Sequence, residues 1–178
     1  MDFFEAITKR YSYRGPYKNT PVPREDLKKI LEAGLAAPSG CNSQLTSLIA
    51  VDDPGLAGSI TNLVKKNGFG GENAPAGICV LTREIPSYAN KYFNVQDYAA
   101  AIENMLLAIT ALGYASCWIE GQVTESSETQ ERIVKMLNIP PEYVVVAFLP
   151  VGIPEKEGKH PQYKPFPERA WFNGESKG

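Results

Sequence analysis

The sequence predicts an α/β or α+β domain, with a sheet held between helical layers. Three observations lead there. Apolar residues recur at helical spacing in several stretches, and short continuous apolar runs of strand length lie between them. The two kinds then alternate along the chain, an order that packs helices against a sheet. No internal repeat or low-complexity linker interrupts the alternation. Residues 1–178 are therefore expected as a single domain, with about 153–178 as an extended C-terminal arm.

The elements follow in order. Residues 2–9 fit a short helix that would bury Phe3, Phe4 and Ile7. In "PVPREDLKKILEAGLAAPSG", Leu27, Ile30, Leu31, Gly34 and Leu35 repeat at helical spacing, and Pro38 with Gly40 stop the helix. "LTSLIAV" (45–51) reads as a strand and residues 55–66 as an amphipathic helix. "AGICVLT" (76–82) is a second strand, and Pro75 is tolerated at its entrance because pairing has not begun. "DYAAAIENMLLAITALGY" gives the longest helix. Its apolar stripe is Val95, Tyr98, Ile102, Met105 or Leu106, Ile109 and Leu112, and Gly113 is its stop. "ASCWIEG" is expected as a strand entering a turn, residues 126–137 as a helix and "YVVVAFLPVG" (143–152) as a buried strand. The proline-rich end has too few apolar residues to pack alone. Phe166, Trp171 and Phe172 need a surface, on a partner subunit or on the chain's own core.

Composition narrows the function classes. The chain is 43% hydrophobic and 21% charged, with a formal net charge of -2, which argues against a broad basic face for nucleic acid. Cys41, Cys79 and Cys117 form no CxxC pair and the sole histidine is His160, so no metal site is expected. The odd cysteine count fits reduced thiols and a cytoplasmic setting. "MDFFEAITKRYS" does not read as a secretory signal, and no run approaches the roughly 20 apolar residues that cross a bilayer.

Two short segments carry candidate chemistry. In "KRYSYR", Arg10 and Arg14 flank Ser12, and guanidinium forks with a hydroxyl suit a tetrahedral anion. Alone, the turn reads better as a solvated helix end. "APSGCNSQ" (37–44) sits between helix and strand and concentrates Ser39, Gly40, Asn42, Ser43 and Gln44. Such residues leave amides and backbone donors for a polar ring or a phosphate, or simply make a helix-stop loop.

With these motifs, "NAP" before a strand, "DYAAAIENMLLAITALGYASCWIEG" and "LPVGIP" in the same order, almost the whole chain resembles the FMN-dependent nitroreductase family. The resemblance implies an α+β fold with a central mixed, mainly antiparallel sheet and a long helix at a dimer interface. It implies a homodimer with FMN sites between subunits and the C-terminal tail extending over the partner. Arg10 and Ser12 would face the phosphate, with Tyr11 in the same turn, and Arg14 the N1/O2 edge of the ring. Pro38, Ser39, Gly40, Asn42 and Gln44 match the loop that approaches from the other subunit. Ile119, Glu120 and Gly121 match the turn whose backbone donors lie near N5 and O4, and Gly152 ends the "PVG" strand. Lys164 is the first candidate for a basic tail residue at the phosphate, with Lys159 and Arg169 as alternatives. Asn67 is a further ring-edge candidate. Thr46 departs from the tryptophan that many relatives carry two residues after the loop glutamine, and the "NGFGGENAP" stretch lacks the lysine of some larger relatives.

The implied activity passes electrons from NADH or NADPH to nitroaromatics, quinones or similar flat acceptors, in ping-pong order. No catalytic side chain is expected, and Arg14, Glu120 and Gly121 would support chemistry on the cofactor. Other readings stay open: a flavin-modifying or reductive dehalogenase member, or a non-enzymatic FMN-binding protein. Tyr11, Tyr13, Tyr88, Tyr92, Phe69 and Phe93 are pocket walls or packing residues. Cys41 is a redox or a small packing residue, Cys79 and Cys117 belong to the core, and His160 is expected in solvent.

Overall fold

The computed structural model describes residues 1–65 and 71–174. Asn67 and Phe69, singled out from the sequence, lie outside the described residues, as does Lys66 at the end of the expected third helix. Strands β1 (Thr46–Val51), β2 (Ala76–Thr82) and β3 (Val144–Val151) pair antiparallel in the order β1-β2-β3. Helices α1 (Phe3–Lys9), α2 (Arg24–Leu35), α3 (Pro54–Val64), α4 (Asn94–Ala111), α5 (Gly121–Thr124), α6 (Ser127–Leu137) and α7 (Phe166–Arg169) surround it.

The strands read as continuous apolar runs because the sheet is buried on both faces. On one face Ile78, Val80, Leu149 and Val151 pack against Leu27 and Ile30 of α2 and Ile102, Met105 and Ile109 of α4. On the other, Cys79, Leu81 and Phe148 pack against Ala57, Ile60 and Val64 of α3, Val123 of α5 and Ile133 of α6. A bulge keeps the faces in order. Val80 pairs with Ala147 and Leu81 with Val145, so Val146 is the extra residue and points with Ala147 to the first face.

The helices start and stop where local chemistry dictates. Asp2 accepts from the Glu5 amide at 2.9 Å, and Asp53 accepts from Leu56 at 2.6 Å just before Pro54 opens α3. At the end of α4, Gly113 takes φ +85°, its N–H meets the Thr110 carbonyl and the Tyr114 N–H reaches Ile109, each at 3.0 Å. Among the described residues, no helix is long and apolar enough to cross a membrane.

Several expectations need correction. α1 buries only Ala6, while Phe3, Phe4 and Ile7 are exposed, because the small side chain is what lets α1 lie against α4. Leu35 and Val95, at the ends of their helical stripes, are exposed too, beyond the reach of the sheet. "ASCWIEG" is not a continuous strand. It touches β3 at two isolated antiparallel bridges, Ala115 with Gly152 and Ile119 with Phe148. The intervening pair in that register sets Cys117 opposite Pro150, which has no N–H to give, so the ladder breaks there.

Candidate active site

The "RYSYR" turn has a two-residue period. α1 ends at Arg10, whose φ of -63° and ψ of 130° turn the chain into extended conformation. Ser12 then bridges Ser116 in the only parallel pairing among the described residues, and the Tyr13 N–H donates to the Ser116 carbonyl at 2.8 Å. Alternate side chains of an extended segment face opposite ways. Tyr13 therefore goes inward, its ring 5.0 Å edge-on from buried Tyr17 and its hydroxyl on the Pro16 carbonyl at 2.6 Å. Ser12 and Arg14 face outward. Arg10 is steered towards α4 by Glu103, its Nε 3.4 Å from the carboxylate, and Arg14 Nη1 donates to the Ser12 carbonyl at 3.4 Å. Two guanidinium groups, each with further N–H donors, and one hydroxyl thus share an edge, a donor set that fits a phosphate.

The tail packs on this turn. The Glu155 N–H donates to the Pro16 carbonyl at 3.0 Å, and the His160 ring lies 4.7 Å from that of Tyr11. His160, expected in solvent, is exposed yet covers Tyr11. A side chain at Gly158 would collide with the Tyr11 ring, its Cβ 2.9 Å from Cδ2.

Three residues after Ser116, the partner of Ser12, comes the Ile119–Gly121 turn. Ile119 exchanges backbone hydrogen bonds with Phe148 at 3.2 and 2.9 Å. Glu120 Oε1 accepts from the buried Tyr98 hydroxyl at 3.2 Å. Burial, and then the Glu120 charge, push the Tyr98 phenol up to about 12. The first intrahelical bond of α5 runs from Val123 to Glu120 at 2.8 Å, so the Gly121 and Gln122 amides precede it and can donate outward.

The Pro38–Gln44 loop is built differently. Ser39 Oγ accepts from the Gln44 N–H at 3.1 Å and closes a 3₁₀ turn over Gly40–Asn42. Cys41, Asn42 and Gln44 all have positive φ, at 53°, 54° and 50°. Gly40 lies under Phe93, where a Cβ would come within 2.6 Å of the ring's Cγ. The buried Asp97 carboxylate, which sequence reading passed over, accepts from the Gly40 N–H at 2.8 Å and from Ser43 Oγ at 3.4 Å. Pro38, Ser39, Gln44, Thr46 and Asp97 line a cavity of about 190 Å³. Thr46 Oγ1 is buried there with no hydrogen-bond partner among the described residues.

The Arg10–Arg14 turn is therefore tied at Ser116 to the segment that runs into the Ile119–Gly121 turn. The Pro38–Gln44 loop reaches the first turn of α4 instead, where Asp97 and Tyr98 hold the loop and Glu120 as neighbours in sequence. Gly152 is bonded to Ala115. Lys164 is exposed and 3.8 Å from Glu168, and Lys159 and Arg169 are exposed as well. Phe166, Trp171 and Phe172 are exposed, and the Trp171 indole donates to the Pro167 carbonyl at 2.9 Å. Tyr88 and Tyr92 are exposed. Cys41, expected to pack or react, is exposed at the loop's tip, since its positive φ turns it outward. Cys79 and Cys117 are buried as expected; burial raises the Cys79 thiol to about 12 and raises Cys117 against the opposing charge of Arg14.

This geometry has counterparts in known proteins. Residues 7–66 and 57–153 match the model of the Nitroreductase family. The chain belongs to the nitroreductase family. A relative in Methanothermobacter thermautotrophicus, named provisionally as an NADH dehydrogenase/NAD(P)H nitroreductase, is 31% identical over 170 residues, 93% of this chain and 84% of its own. A nitroreductase from Bacteroides fragilis, solved with FMN bound, is 28% identical with a TM-score of 0.71, covering 92% of this chain and 95% of that one. A Parabacteroides distasonis structure, named provisionally as an NADH dehydrogenase/NAD(P)H nitroreductase, has a TM-score of 0.78 at 26% identity, covering 97% and 98%. The nitroreductase-like α+β fold is thus shared along nearly the full chain.

Proposed function

We propose that this nitroreductase-family chain is a homodimeric, cytoplasmic FMN-dependent oxidoreductase. It passes electrons from NADH or NADPH to nitroaromatic, quinone or related flat acceptors, in ping-pong order. The observation that carries the reading is the pairing of the arginine turn with the segment before Glu120. There Arg10, Ser12 and Arg14 face outward from one extended segment, which is hydrogen-bonded to Ser116 of the segment that leads into Glu120 and Gly121. Bound FMN would supply the redox chemistry, and the chain supplies position, charge and access.

Arg10 and Ser12 hold the phosphate, with Tyr11 behind them. Arg14 faces the pyrimidine edge and stabilises negative charge there. The Ile119–Gly121 turn presents its amides to the ring, and Pro38, Ser39, Gly40, Asn42 and Gln44 reach the site of the partner subunit. Lys164, on the arm that begins near residue 153, reaches the partner in the same way. Exposure of Phe3, Phe4, Ile7 and Leu35 on neighbouring helices supports the dimer. So does the apolar cavity of about 340 Å³ lined by Met1, Phe3, Ala6, Leu107, Ala108 and Ala111.

Titration of the apoprotein with FMN tests the assignment. Arg10→Ala should weaken binding by about 1.5–3 kcal/mol, roughly the worth of charge-assisted hydrogen bonds. Equal affinity in wild type and variant would remove Arg10 from the site.

A further inference from the structure

We propose that Asp97 is a positioning residue for the FMN site, a role that rests on the FMN-binding reading above. It fixes the Pro38–Gln44 loop in the shape that meets the cofactor. Asp97 is 5% exposed as a residue, and no basic side chain forms an ion pair with its carboxylate among the described residues. A carboxylate out of water is costly unless hydrogen bonds satisfy it. Its partners come from the loop, 57 and 54 residues away in sequence: the Gly40 N–H at 2.8 Å and the Ser43 hydroxyl at 3.4 Å. The first turn of α4, where Asp97 sits, also favours a negative charge through the helix dipole.

The loop needs such an anchor. Cys41, Asn42 and Gln44 hold positive φ without being glycine, a conformation that persists only when its surroundings enforce it. Ser87 Oγ donates to Ser43 Oγ at 3.1 Å, so a hydroxyl relay ends on Asp97 and ties the segment before α4 to the loop. The next residue, Tyr98, holds Glu120. One turn of α4 therefore mounts a segment of this subunit's proposed cofactor site and the loop proposed to reach the partner's. A loop ordered before binding spares the ligand that ordering cost, so Asp97 acts on affinity.

The test is titration of apoprotein with FMN, followed by flavin fluorescence, for wild type, Asp97→Ala, Asp97→Asn and Ser43→Ala. Asp97→Ala should raise Kd about tenfold or more at unchanged equimolar stoichiometry, as loss of charge-assisted bonds implies. Asp97→Asn keeps an acceptor for the Gly40 N–H and should stay within about threefold of wild type. Ser43→Ala should raise Kd about threefold, and it carries the test if Asp97→Ala does not fold. Unchanged affinity in Asp97→Ala or Ser43→Ala would overturn the proposal. So would reduced stoichiometry at unchanged Kd, the mark of a merely structural residue. Failure of wild type to bind FMN would instead overturn the functional reading itself.

Discussion

Substitution of Gly77 by alanine probes the link between core and site. A Cβ at Gly77 would collide with the tip of the Phe148 ring, 2.8 and 3.1 Å from its two ε carbons. The ring cannot retreat easily. Phe148 is fully buried, pairs with Cys79 on one side and exchanges hydrogen bonds with Ile119 on the other. Overpacking of this kind costs about 1–3 kcal/mol. Restricting the unfolded chain returns about 0.4–1 kcal/mol, so mid-range values of the two leave an expected net loss of about 1–2 kcal/mol. For a chain of this size that lowers Tm by about 2–8 °C. Urea unfolding of the apoprotein measures it, and Phe148→Leu in the same background supplies the control. Leucine removes the far ring atoms, so the double variant should be more stable than the sum of the single losses by about 1 kcal/mol. Stability of Gly77→Ala within about 0.5 kcal/mol of wild type, or strict additivity, would refute the reasoning.

Asp53→Ala removes the cap of α3 and should cost about 1 kcal/mol in the same unfolding assay. Tyr98 has its phenol raised above the unfolded value of about 10, so its contribution is full below pH 10 and fades as pH climbs to about 12. Wild type should therefore lose stability relative to Tyr98→Phe across that interval, and an ultraviolet titration of tyrosinate should lose one late-ionising phenol in the variant. Tyr13→Phe removes the bond to the Pro16 carbonyl and should destabilise the fold by about 1 kcal/mol, read by thermal unfolding.

Where a signal was local, the sequence carried it. β2 and β3 showed as apolar runs because both of their faces are covered. Gly113 was legible as a stop because only local backbone chemistry decides it. The pairing of Cys117 with Pro150 was not legible, since it depends on a register between segments 33 residues apart that no local pattern states. Phe3 and Phe4 stand at helical spacing from Ile7, yet periodicity names a face without saying what covers it. At the site, the chemistry of Arg10, Ser12 and Arg14 was readable, and the tyrosines between them turn out to face the other way. Asp97 offered one faint signal, a carboxylate at the head of a largely apolar, alanine-rich helix, and its partners lie in a loop closed only by folding.

The central claim is that this chain carries FMN and reduces it at the expense of NAD(P)H. Visible absorbance of the purified, FMN-loaded protein under anaerobic conditions, before and after adding NADH or NADPH, tests it most directly. The expected result is a yellow protein that bleaches with one or both donors and regains its colour on addition of a quinone or nitroaromatic. A protein that takes up no FMN, or that holds it unbleached with both donors, would contradict the account.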